Sequence, residues 1–365
     1  MKTRLSLLAL CLVAGTAVAA PRYAFLGIDG PAGLEPVNTF DFNNRGDVLG
    51  TWRATPDGPE RPLLFTAGGG YTAVGPLDRD VAAHAMNNLG QSVGSLESRA
   101  WQFGSGAGAV PGVPDVPGWA TGINDAGVVV GSHQNGDTSR AFISVPGQPL
   151  RTFDFEFGAF AWGVNNRNEA LLGWTGGPIG PIFRHDIATN TTTQVGVDQE
   201  AGATNARIND QGDVAAQWGW KYGIHVSVYD VAGNRTDIDG LPGYMNDQLL
   251  DFNNRGQVLG GSFSSGPGIP FESAYFLHTP GEGAAELTSL FRAPDGWANL
   301  AFGYLNDNGS ILGVGEFGGK RQLFMLNPLA GPVPEPSALL LMGGGIAGVA
   351  GVARRRRARP SAPAC

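Results

Sequence analysis

Cysteine is nearly absent, with two in 365 residues: Cys11 near the start and Cys365 at the end. Such a chain has no disulfide framework and no Cys-built metal site. The five histidines, His84, His133, His185, His225 and His278, include no pair at metal-ligand spacing. A Gly-x-Ser-x-Gly nucleophile elbow is missing too. Charge is sparse, 15 % of residues, and basic side chains are the minority, 24 against 32 acids. An acidic chain without a basic stripe argues against nucleic acid and anionic lipid as partners. Glycine, by contrast, is abundant: 57 residues, roughly double the usual share. Eight Trp and nineteen Phe go with it. That combination excludes disorder and points to short strands joined by tight turns.

The two ends differ from the body. Lys2 and Arg4 precede an apolar run from Leu5 to Val13, and Ala17-Val18-Ala19 is a small-x-small cleavage site. Residues 1–19 therefore read as an export signal, with a mature chain starting at Ala20. The run is too short to stay as a membrane anchor. Leu10 precedes Cys11 where a lipoprotein has a small residue, which argues against lipidation. At the other end, Val333-Pro334-Glu335-Pro336 is followed by an apolar run, Ser337 to Ala353, and by Arg354-Arg355-Arg356-Arg357.

Pro-Glu-Pro, apolar helix and basic stop, in that order, resemble the PEP-CTERM sorting signal. Over residues 332–365 the resemblance implies a single transmembrane helix at 337–353, a transient inner-membrane anchor, and processing by an exosortase-type membrane enzyme. Five glycines in the seventeen residues make a weak helix for a permanent span. The Arg cluster places the tail in the cytoplasm. Processing at both ends would remove both cysteines. It would also remove seven basic residues and Glu335, taking the formal charge from −8 to −14.

Between the ends one motif recurs seven times. Its first Asn is Asn43, Asn87, Asn124, Asn165, Asn209, Asn253 and Asn306, at spacings of 44, 37, 41, 44, 44 and 53. A large apolar residue precedes each: Phe42, Met86, Ile123, Val164, Ile208, Phe252, Leu305. Asn or Asp follows: Asn44, Asn88, Asp125, Asn166, Asp210, Asn254, Asp307. Three residues after the first Asn stands Gly46, Gly90, Gly127, Asn168, Gly212, Gly256 or Gly309. A hairpin turn that ends in a positive-φ residue accounts for this position, since Gly adopts that conformation freely and Asn is next best. Asn168 is therefore expected in the left-handed region. A short apolar strand follows each turn, as at Val48-Leu49 and Ile311-Leu312, and commonly ends in Gly. The fourth repeat carries one extra residue before Gly173, which predicts a local bulge there. Third and fourth strands fill the rest, as at Arg140-Ala141-Phe142 and Thr192-Thr193-Gln194-Val195-Gly196.

Four short strands per roughly 44 residues describe a propeller blade. The expected fold is all-β: a seven-bladed β-propeller over 20–331, flanked by the signal peptide and the sorting helix. Blades are expected at about 37–80, 81–117, 118–158, 159–201, 202–246, 247–298 and 299–330. The last lacks a fourth strand, and residues 22–29 are expected to supply it by pairing with Gln322 to Met325. An open β-solenoid is the alternative, disfavoured because its coils are shorter and more uniform. Ile123-Asn124-Asp125-Ala126-Gly127-Val128-Val129-Val130-Gly131 resembles the repeat of the bacterial HAF family, with Arg or Ser here where that family's His-Ala-Phe stretch has His. That family transfers no catalytic residue.

Candidate chemistry is thin. Arg45-Gly46-Asp47 spells an adhesion tripeptide, but the same frame recurs as Arg255-Gly256-Gln257 and Gln211-Gly212-Asp213, so it reads as turn template. Each turn offers one or two Asx residues, too few oxygens for a Ca²⁺ site. His185, His225 and His278 lie in the third-strand region of successive repeats. Trp52, Trp174, Trp218 and Trp220 follow second strands and read as packing between blades, with a sugar-stacking row as the sharper alternative. The expectation is a monomeric, non-catalytic surface or matrix protein with no cofactor and no metal. Its expected partners are an exosortase-type enzyme and an exopolysaccharide or surface protein. The alternative is an extracellular hydrolase or lyase acting on polysaccharide. Converging carboxylates or a His–acid pair in a cleft at the ring axis would favour the enzyme; exposed aromatics without them would favour the binder.

Overall fold

The computed structural model describes residues 21–329, apart from 77, 105, 157, 175–179, 197–200, 221–222 and 267–268. The export signal and the sorting segment, including Pro334-Glu335-Pro336, helix 337–353 and Arg354 to Arg357, lie outside the described residues. No helix among the described residues is long and apolar enough to cross a membrane.

Seven four-stranded antiparallel sheets form seven blades. Their inner strands are Glu35–Phe42, Val81–Met86, Gly118–Ile123, Ala159–Val164, Ala201–Ile208, Asn246–Phe252 and Trp297–Leu305. Those of blades 1, 5, 6 and 7 begin one or two residues ahead of the expected boundaries. Side chains alternate along each second strand, so neighbours face opposite sides of the sheet. Val48 packs in the cluster shared by blades 7 and 1, and Leu49 in the one shared by blades 1 and 2. Seven such clusters, one per neighbouring pair of blades, make up the core. The open solenoid is excluded, because blade 7 packs on blade 1.

Blade 7 is closed by the N-terminus. Tyr23–Ile28 pairs antiparallel with Lys320–Pro328, from Tyr23 opposite Pro328 to Ile28 opposite Leu323. The long spacing of 53 before the seventh motif has a use here. Its additional residues include a 3-10 turn, Leu287–Ser289, and the segment after it. Leu287, Leu290 and Phe291 are buried against Tyr23, and the backbone N–H groups of Arg22 and Tyr23 donate to the Leu290 carbonyl. The insertion braces the closing strand.

Strand register in the fourth blade corrects the expected insertion. Leu172 pairs with Ala161 at the place where Gly50 pairs with Thr39, so no residue has been added. Gly has been replaced by Leu at that place, and Gly173 is simply the next residue. Elsewhere the glycine makes room: a Cβ on Gly260 or Gly313 would lie 2.3 Å from the ring of Phe276 or Phe324.

Candidate functional site: the turn rings and the axial channel

The seven Asx turns meet around the axis at one end of the ring and line a shallow bowl of about 190 Å³. The side-chain amide of each first Asn donates to the backbone carbonyl of the first Asn in the next blade. The series runs from Asn43 to Asn87 and onward until Asn306 returns to Asn43, at 2.9–3.4 Å. A second closed series joins the second positions. The backbone N–H of Asn44 donates to Asn88 Oδ1, and so on until Asp307 N–H donates to Asn44 Oδ1, at 2.6–2.9 Å.

These two rings explain the motif. The first position must donate with its amide, so it is always Asn. The second must only accept, so Asn and Asp both serve. In addition, the first Asn's Oδ1 accepts backbone N–H groups within its own turn, as Asn43 does from Arg45 and Asp47. The three aspartates of the second ring, Asp125, Asp210 and Asp307, are never neighbours. Each accepts an amide hydrogen from an adjacent Asn: Asn88, Asn166 and Asn254, and Asn44 respectively.

Asn168 has φ +62, in the left-handed region, as the six glycines at its position do. It also does something glycine cannot. The other hydrogen of the first Asn's amide goes to a side chain four residues on, such as Asp47, Gln91, Glu169 or Gln257. Blade 3 has Val128 there, which cannot accept. Asn168 of blade 4 supplies the missing oxygen, with Asn124 Nδ2 2.8 Å from its Oδ1.

Below the bowl, each inner strand turns an unpaired edge toward the axis. Bulges interrupt these strands, as between Ala120 and Gly122 or Leu249 and Asp251. Two backbone groups of the strand, the carbonyl four residues before the Asn and the N–H just before it, are met by side chains from the preceding blade. Donors reach the carbonyls: His84 to Ala120, Thr121 to Ala161, Asn205 to Leu249 and Tyr304 to Thr39, at 2.7–3.0 Å. Carboxylates reach the N–H groups: Asp41 accepts from Met86 at 2.7 Å and Asp251 from Leu305 at 2.8 Å. Six of the seven blade boundaries carry such a bond among the described residues.

His84, Thr121, Trp162, Arg207, Asp41, Asp251 and Tyr304 line one polar cavity of about 270 Å³. Burial pushes the Asp251 carboxyl up to about 6, against the pull of Arg207 and of the Leu305 and Phe252 N–H groups. Asp41 is raised for the same reason, and burial raises the Tyr304 phenol as well. Arg207 Nε lies 3.6 Å from Asp251 Oδ1, an ion pair without a hydrogen bond. Its Nη1 donates instead to Asn205 Oδ1 at 2.7 Å and to the Ala206 carbonyl at 3.1 Å.

Other candidates fall out of the site. Asp47 is buried and takes bonds from Asn43, Arg45 and the Ala67 N–H, so Arg45-Gly46-Asp47 is part of the turn. Trp52 and Trp218 are fully buried between blades. The side chain of Trp220 lies outside the described residues. His185 is buried, with Nδ1 2.9 Å from Thr192 Oγ1. No group of three or more His, Cys, Asp or Glu among the described residues could hold a metal. The channel residues were missed in the sequence because their positions carry no repeated residue type. The visible signal was a charged residue breaking an apolar inner strand, as Asp41 and Asp251 do just before the motif.

The PEP-CTERM protein-sorting motif matches residues 332–357. That motif implies an exported protein, anchored in the membrane for sorting to the cell surface and processed by an exosortase. No curated protein matches the chain. In fold the chain is similar to virginiamycin B lyase from Staphylococcus aureus solved with quinupristin, with a TM-score of 0.52 and 11 % identity over 84 % of this chain and 100 % of that one. It is also similar to a puromycin hydrolase, with a TM-score of 0.51 and 14 % identity over 77 % and 50 %. A prolyl endopeptidase structure gives 0.52 and 12 % over 80 % and 48 %. At such identities the likeness is one of fold.

Proposed function

We propose that this chain is a non-catalytic β-propeller, with repeats of HAF type, that serves a binding or structural role in the extracellular polysaccharide layer. One observation carries the reading: a ring closed on itself by two belts of hydrogen bonds ends at Pro328, a few residues before the matched sorting motif. A rigid body delivered to the surface on a processed tether suits a scaffold or binder. The axis-facing carboxylates support it too, because Asp41 and Asp251 each accept two backbone N–H groups and so hold blades together.

A second reading, a polysaccharide hydrolase or lyase, is favoured by the convergence of Asp41, Asp251 and His84 on one cavity, with one carboxyl near 6. The two readings part in one experiment. The purified chain is incubated with exopolysaccharide from a strain that bears exosortase, and both co-sedimentation and new chain ends are measured. The binder reading expects co-sedimentation with no new ends. New ends that vanish in Asp251→Asn would replace it with the enzyme. Neither binding nor cleavage would sink both.

A further inference from the structure

We propose that the axial cavity binds one amino-sugar unit carrying a free ammonium, stacked on Trp162 and held by the carboxylates of Asp41 and Asp251. The inference rests on the polysaccharide-binding reading above and gives it a site, a ligand class and a size limit.

The first argument is shape and surface. Trp162 stands on the inner strand of blade 4 and lines the cavity together with Phe40. One side of its indole is backed by Gly173, where a Cβ would come within 2.1 Å of the ring, and the Phe160 ring meets it edge-on at 4.3 Å. The indole is thus fixed in place: it packs in part against the cluster between blades 4 and 5 and also lines the cavity. A fixed aromatic face beside hydrogen-bonding side chains is what a sugar ring needs, since one side of the ring is apolar C–H and its rim is hydroxyl.

Charge supplies the second argument. Two carboxylates and one guanidinium face the cavity. The guanidinium directs its hydrogen bonds to Asn205 and Ala206 and leaves a 3.6 Å gap to Asp251. The carboxylates therefore have capacity for a cation. An ammonium on the sugar would neutralise the set, whereas a uronic acid would add a third carboxylate to it.

Size is the third. A cavity of about 270 Å³ lies at the low end of the ligand range, about 300 Å³ upward. It takes a single ring, so a polymer would engage by a chain end or a branch tip.

The test is calorimetric titration of the full-length chain with glucosamine, glucose, N-acetylglucosamine and glucuronate at about pH 7. Glucosamine should bind on the order of tenfold tighter than the neutral sugars, the scale of one charge-assisted hydrogen bond. Glucuronate should bind weakest. Trp162→Leu should abolish the preference and Trp162→Phe keep part of it, with melting curves checking the fold of each. Should Trp162→Leu fail to fold, Asp251→Asn decides, because it should lower glucosamine affinity and leave glucose unchanged. Equal binding of glucosamine and glucuronate, or unchanged binding by Trp162→Leu, overturns the site. If no sugar binds but the polymer still co-sediments with Trp162→Leu, the site falls and the polysaccharide-binding reading stands. Loss of polymer binding by the unaltered chain removes both.

Discussion

The two Asx positions of a turn look alike in sequence and differ in direction of bonding. Asn124 gives both amide hydrogens away, to the Asn165 carbonyl and to Asn168 Oδ1. The Asp125 side chain only receives, from the Asn88 N–H and the Asn88 side-chain amide. Asn124→Asp should therefore cost about 2–3 kcal/mol, and Asp125→Asn under about 1 kcal/mol, by chemical denaturation. Equal costs would mean the amide ring contributes little. The glycine of each turn was legible because positive φ is a local demand. Why the first position must be Asn was not, because its partner lies in another blade, 37 to 53 residues away in six cases and 263 away for Asn306. The same limit hid Asp251, whose carboxyl is pushed up to about 6 from 3.8. The folded state holds this proton more tightly than the unfolded one. Its contribution to stability is thus full below about pH 4 and lost as pH rises through about 6. Asp251→Asn has no such proton, so its melting temperature should fall less over that window than the unaltered chain's. Parallel curves would show that another group sets the slope.

Elements in this ring are held by what lies beside them in space more than by their own sequence. The strand Tyr23–Ile28 has Lys320–Pro328 on one side and the Leu287 to Phe291 brace against its start. Phe25 completes the contact, with ring centroids 4.7 Å from Phe324, 4.9 Å from Trp297 and 5.9 Å from Phe291. Phe291→Ala empties this cluster and should cost about 3–4 kcal/mol. The amides of Ala24 to Gly27 should then exchange with solvent faster than those of the blade 3 strands. Uniform loss of protection around the ring would show that the brace is not local to the closing strand. Spacing alone marked the seventh repeat as irregular but could not say that its insertion braces the N-terminus. In blade 4 the late glycine was visible, yet only register distinguishes a Gly-to-Leu replacement from an added residue.

At the scale of the molecule, closure joins the first strand to the last. It was readable because counting strands left the seventh blade one short and the N-terminus with one to spare. The channel was not readable in that way, since Asp41, Ala85, Gly122, Gly163, Arg207, Asp251 and Tyr304 share a position and no chemistry. The pairing of Tyr23 with Pro328 has a further consequence: the start of the first strand and the end of the last both lie at the end of the ring where the Asx turns are. Deleting Tyr23 to Asp29 would uncover the edge of Lys320–Pro328 and open the apolar cluster that holds Leu290, Phe291 and Phe324. The cluster between blades 7 and 1 would lose Ile28 but keep Leu312, Leu323 and Met325 against Phe42, Val48 and Trp52, and the hydrogen-bond rings would still have all seven members. Each of those bonds is worth about 1 kcal/mol net, too little to replace a strand and its buried aromatics. The truncated chain should melt earlier and over a broader range than the complete one, and form larger species through the open edge in light scattering. A sharp transition at the original temperature would mean that the turn rings and the remaining cluster, and not the closing strand, hold the propeller shut.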